Sequence, residues 1–157
     1  MTQHPRRTFL KNSLASAVLI AVGGTGLLGS HRALAAEWPK DAFTAKKFED
    51  AVQALFGSGA MSPSTSIKLK APTQAENSAQ VQIQVSAEMP NVEAIAVFVE
   101  KNPSPLVAHA SFSGAEGYFS ARMKMAQTSD VVAVVKSGGK LYTAMQNIMV
   151  SAGGCGG

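Results

Sequence analysis

The only cysteine of the chain, Cys155, stands in the terminal run GGCGG, between Gly153 and Gly154 on one side and Gly156 and Gly157 on the other. A thiolate is a strong nucleophile and a reversible point of attachment. Glycine packs no side chain and loses more conformational entropy on ordering than any other residue. Four glycines around one thiol therefore read as a tether, not as core. Ser151 and Cys155 are four residue steps apart, a span of roughly 13–14 Å when extended. A thin arm of that length can enter a narrow active site that a folded surface cannot. A free cysteine is ionised only to a few per cent at neutral pH. No Lys, Arg or His follows Lys140, so activation has to come from whatever site the arm enters.

Other chemistries find little support. A resolving partner for the thiol, as in CxxC, is missing. Zinc needs about four converging ligands, and one Cys with His109 does not supply them; His109 sits in the alternating run VAHAS and reads as an ordinary strand histidine. A Cys155–His109 catalytic pair would need the tail to fold back on the body. Glu88, Glu93, Glu100, Glu116 and Asp130 fall near strand ends or turns, where solvated charge is expected. Met123, Met125, Met145 and Met149 read as core filling before copper ligands. The run GTGLLG at 24–29 is glycine-rich but belongs to a targeting segment.

That segment opens PRRTFLK, with Arg6 and Arg7 before a moderately apolar run and then Ala33-Leu34-Ala35. The pattern fits a twin-arginine export signal over residues 1–35, cleaved after a small-x-small site. The apolar run is short and glycine-interrupted for a membrane span, which needs about 20 residues. The whole chain carries a formal +4, but Arg6, Arg7, Lys11 and Arg32 leave with the signal and no acid does. The remaining charges balance, so the basic pI gives no ground for a nucleic-acid partner. The expected location is the periplasm. An odd thiol in an exported protein points to intermolecular bonding or to reactive chemistry.

The arm needs a body. Phe48, Ala51, Val52, Leu55 and Phe56 recur at helical spacing, with Thr44 as a candidate N-cap and Gly57 or Gly59 as a stop. Such a helix packs either on its own domain or on a partner. Trp38, just before it, reads as a packing anchor. Beyond residue 60 the period changes. SIKLKAP and AQVQIQVSAE alternate cleanly, as half-buried strands require. VEAIAVFVEK, LVAHASFS, GYFSARMKMAQ, DVVAVVKSG and KLYTAMQNIMVS follow, separated by turn signals such as KNPSP, SGAEG and SGG. Seven short strands without intervening helices predict an all-β antiparallel sandwich. AIAVFV and VVAVV are apolar on both faces, which suits central strands or a face buried by another chain. The organisation reads as a signal at 1–35, a linker and helix at 36–59, a β-sandwich at 60–150 and the arm at 151–157.

Taken together, the twin-arginine signal, the helix ending ALFG, the segment AEN before an alternating strand, and the terminal GGCGG resemble the SoxY family. The resemblance covers essentially the whole chain. It implies an immunoglobulin-like sandwich that pairs with a SoxZ-like subunit as a heterodimer. It implies that Cys155 carries sulfur intermediates covalently, with no cofactor and no catalysis of its own. Thiosulfate would be joined to the thiol by a c-type haem conjugating enzyme, and a sulfate-releasing hydrolase would then act. In many organisms a sulfane dehydrogenase would follow. Two rival readings stay open. One is a ubiquitin-like sulfur carrier using the Gly156-Gly157 carboxylate. The other is a structural module joined through an intermolecular disulfide.

Overall fold

Val81, Ile83 and Val85 are buried while Gln82 between them is exposed, and that two-residue period sets the architecture. A computed structural model describes residues 38–151 of the protein. Strand β4 (Val81–Ala87) pairs antiparallel with β2 (Ile67–Lys70) and β7 (Gly117–Met123), giving a three-stranded sheet. Its inner face meets a six-stranded sheet formed by β1 (Met61–Pro63), β9 (Lys140–Val150), β8 (Ser129–Ser137), β5 (Val92–Val99) and β6 (Leu106–Ser111) in that order, with β3 (Gln74–Ala75) also pairing with β9.

Between the two sheets lies one core, in which Ile83 and Val85 meet Ile95, Val97, Val99, Val131, Ala133, Val135 and Ile148. The alternate residues of β5 and β8, namely Ala96, Phe98, Val132 and Val134, form a second core on the far face of the large sheet. There they meet Ala42 of helix α1 (Lys40–Thr44) and Ala51 and Val52 of helix α2 (Phe48–Phe56). The doubly apolar runs are thus central strands, and this chain's own helices cover their outer face. Phe48 places its ring edge-on to Phe98, with centroids 5.1 Å apart.

Local chemistry ends the elements where expected, with two exceptions. Gly57 closes α2 in the left-handed region at φ 69, its N–H donating to the Gln53 carbonyl. Gly138 and Gly139, at φ 55 and 73, form the two-residue turn between Ser137 and Lys140, a conformation open to few residues but glycine. The N-cap of α2, however, is Lys47, while Thr44 ends α1. Trp38 does not anchor the core either: it is 67% exposed and stacks on Phe43 at 4.4 Å.

The larger sheet is mixed, not purely antiparallel, because β1 and β3 both run parallel to β9. Two irregularities bend β5. The register against β6 shifts at Val97/Phe98, and that against β8 shifts between Val92 and Ala94, leaving Glu93 as an extra residue.

Candidate functional site

The expected attachment residue Cys155, its neighbours Gly153, Gly154, Gly156 and Gly157, and the export residues Arg6 and Arg7 lie outside the described residues. What the structure does describe is the stem from which the terminal residues depart. The β8–β9 ladder ends at the pair Ser129 and Ile148. One residue further toward the C-terminus of β9 than Met149, a side chain takes over. The Thr128 hydroxyl accepts the Val150 N–H at 2.9 Å and donates to the Val150 carbonyl at 3.4 Å. A hydroxyl carries one donor and two acceptor lone pairs, so a single group satisfies both polar atoms of Val150.

Along the opposite edge of β9 runs the stretch from Ala71 to Ala75. The Gln146 side-chain amide donates to the Ala71 carbonyl at 2.9 Å, and the Met149 N–H donates to the Thr73 carbonyl at 2.9 Å. Ser151 donates both its N–H, at 3.3 Å, and its hydroxyl, at 3.2 Å, to the Ala75 carbonyl. Successive amides of a strand point to opposite edges, which is why Val150 turns to Thr128 while Met149 and Ser151 turn to Thr73 and Ala75. The Ala75 side chain is buried in the inter-sheet core. Just beyond it, the Asn77 side chain accepts the Ala79 N–H at 2.9 Å and its carbonyl accepts the Gln80 N–H, turning the chain into β4.

His109 is placed elsewhere. It pairs with Ala96 on edge strand β6, and its ring lies edge-on to Phe56 with centroids 6.4 Å apart. Desolvation lowers its pKa from the ordinary 6.5, favouring the neutral ring. By register, His109 aligns through Ala96 and Val134 with Thr143 of β9. Strand spacing and rise then put it roughly 30 Å from Ser151. The four steps from Ser151 to Cys155 span only about 14 Å, so a Cys155–His109 pair within one chain is out of reach.

The carboxylates do not converge. Lys68 pairs with Glu88 at 2.6 Å on the surface, and Asp130 accepts from the Asn147 side chain at 2.6 Å. Glu93, on its bulge, accepts the Gly139 N–H at 2.7 Å and pairs with Lys136 at 3.2 Å. The Gly139 bond foremost, then Lys136, hold its carboxyl below the usual 4.5. Among the described residues, no three His, Cys, Asp or Glu side chains group as metal ligands would. The methionines divide: Met123 and Met125 are buried, but Met145 and Met149 are 65% and 52% exposed. Core filling therefore fails for the latter pair, which stand on the outer face of β9 beyond the cover of the helices. Met145 borders an apolar groove of about 550 Å³ with Phe48, Met61, Pro63 and Val132.

These features define a mainly β protein of two packed sheets with a short helical cover, whose described residues converge on no catalytic cluster. The chain belongs to the SoxY family: the model of the sulfur oxidation protein SoxY matches residues 52–155. It is similar to the solved sulfur carrier protein SoxY from Chlorobium limicola f thiosulfatophilum, with 40% identity and a TM-score of 0.62 over 67% of this chain and 96% of that one. A looser likeness, at 18% identity and a TM-score of 0.48 over 68% of this chain and 90% of the other, joins it to a superoxide reductase (neelaredoxin) from Ignicoccus hospitalis. No curated protein matches.

Proposed function

We propose that the protein is a covalent carrier of sulfur intermediates, loaded at Cys155 and presented on a swinging arm to enzymes that do the chemistry. The observation that carries this reading is the extent of the family match, which runs to residue 155 and so takes in the only cysteine of the chain. The 40% identical relative being a sulfur carrier protein supports it.

The loading step joins the Cys155 sulfur to the sulfane sulfur of thiosulfate. It releases one proton from the thiol and two electrons, which a c-type haem conjugating enzyme accepts. Water then cleaves the terminal S–S bond in a hydrolase, releasing sulfate and two protons and leaving a persulfide anion on the arm. A sulfane dehydrogenase is the further partner for that persulfide. None of these steps uses a side chain of the β body, which serves as handle and docking surface. The two packed sheets favour an immunoglobulin-like body, with β1 and β3 as parallel additions to β9. The groove beside Met145 gives a SoxZ-like subunit an apolar surface to cover. Arg6 and Arg7 address the folded protein to the periplasm through the twin-arginine route, residues 1–35 being removed.

Intact mass tests the assignment. After incubation with thiosulfate and the cognate conjugating enzyme, the chain gains one thiosulfate less two electrons and one proton, and Cys155→Ser gains nothing. An adduct that persists in Cys155→Ser overturns the assignment. Sulfur found on the Gly157 carboxylate supports the ubiquitin-like alternative instead.

A further inference from the structure

We infer that Thr128, together with the Ala75 carbonyl, is a positioning clamp that fixes where the carrier arm begins and hence how far its thiol can travel. The inference rests on the carrier reading for its purpose, but not for its geometry. Backbone pairing between β8 and β9 stops at Ser129 and Ile148. On that edge the ladder holds neither Met149 nor Val150, while β3 pairs with both on the other edge. Instead, Thr128 holds both polar atoms of Val150 through one hydroxyl, and Ser151 gives two hydrogen bonds to Ala75. Val150 and Ser151 are therefore held from opposite edges of the strand, by partners 22 and 76 residues away in sequence.

The clamp decides the length of the leash. From Ser151, four steps reach Cys155, about 13–14 Å when extended. From Ile148 the count is seven steps, about 23–25 Å. The effective concentration of a tethered group falls roughly as the −3/2 power of tether length, so lengthening from four links to seven dilutes the thiol about twofold at a docked enzyme. A carrier that hands one thiol to several enzymes gains from a fixed origin, because each enzyme then meets the same reach. The Ala75-Glu76-Asn77 segment has a structural reason on this view: Ala75 holds the stem and Asn77 turns the chain away into β4.

Thr128→Val keeps the shape of the side chain and removes the hydroxyl; Thr128→Ser keeps the hydroxyl. Spin labels on Cys155 and on an introduced Gln82→Cys, whose position is exposed on β4, report the spread of the arm in the full mature chain. The expected result is a broader and longer distance distribution in Thr128→Val, at least tenfold faster amide exchange at Val150 and Ser151, and recovery of both in Thr128→Ser. With thiosulfate and the haem conjugating enzyme, the KM for the carrier rises in Thr128→Val, by at most about twofold, the limit in which the stem frays back to Ile148, while kcat stays unchanged. Should Thr128→Val fail to fold, Ser151→Ala removes one bond to Ala75 at the strand end and is expected to broaden the distribution in part. Unchanged distances in the variant that folds, or Thr128→Ser behaving like Thr128→Val, overturn the clamp. Failure of the wild-type chain to load thiosulfate overturns the carrier reading and leaves the distance result standing.

Discussion

His109 shows how a titratable side chain can belong to the fold and not to the chemistry. It sits half-buried against Phe56, and its pKa is lowered by desolvation from 6.5. In the unfolded chain it takes up a proton near pH 6.5; in the folded chain it resists until a lower pH. The unfolded state therefore binds more protons in that window, and stability falls as pH drops from 6.5 through the lowered folded value. Urea midpoints measured between pH 7 and 5.5 should decline in the wild type and decline less in His109→Gln. Parallel curves for the two proteins would assign the decline to other groups. Glu93 acts in a separate window. Its lowered pKa gives a contribution present above 4.5 and lost as pH falls below that, when the carboxylate that accepts the Gly139 N–H and pairs with Lys136 is protonated.

Between residue and molecule, the helix pair is what makes the large sheet a two-faced wall. Phe98 is fully buried and meets Phe48 edge-on. Phe98→Ala removes the ring that seats α2 and should cost about 3–5 kcal/mol of stability by urea unfolding. The loss should appear first as faster amide exchange in residues 48–56. An unchanged exchange rate there would show that the helix holds to the sheet by other contacts. The seven longer strands were legible because each is either an alternating run or, in β5 and β8, a continuous apolar run bounded by turn signals, and the Gly138-Gly139 turn because few other residues accept that backbone. Strands β1 and β3 were not legible. They are three and two residues long, the first ending in Pro63, and exist only because β9 is long enough to pair with both. Helix α1, with five residues, is too short to show a helical period and reads as linker. The bulge at Glu93 and the exposure of Met145 and Met149 depend on which neighbour covers which face, and alternation does not encode that. In the candidate site the thiol and its glycines stand out by composition. Thr128, in the plain run QTSD, gives no local signal, since its partner is a strand end 22 residues away.

For the whole molecule, the carrier reading separates two jobs between two parts of the chain. The body is stabilised by two cores, one between the sheets and one under the helices, and can be read without reference to Cys155. On that reading sulfur transfer, by contrast, depends on the width of the last few residues. On the carrier reading Gly154 belongs to the arm and not to the body, whose cores are built from residues between Ala42 and Val150. Gly154→Trp should thus leave the thermal midpoint of the mature chain within about 2 °C of wild type, as expected for a change away from packed or capped positions. The same ring would have to pass the mouth of any site that admits a bare glycine chain. Loading with thiosulfate should slow by about tenfold or more, which corresponds to a barrier increase near 1.4 kcal/mol. If both the midpoint and the loading rate stay at the wild-type values, partner enzymes do not thread the arm, and the glycines around Cys155 serve its freedom of motion and not its slenderness.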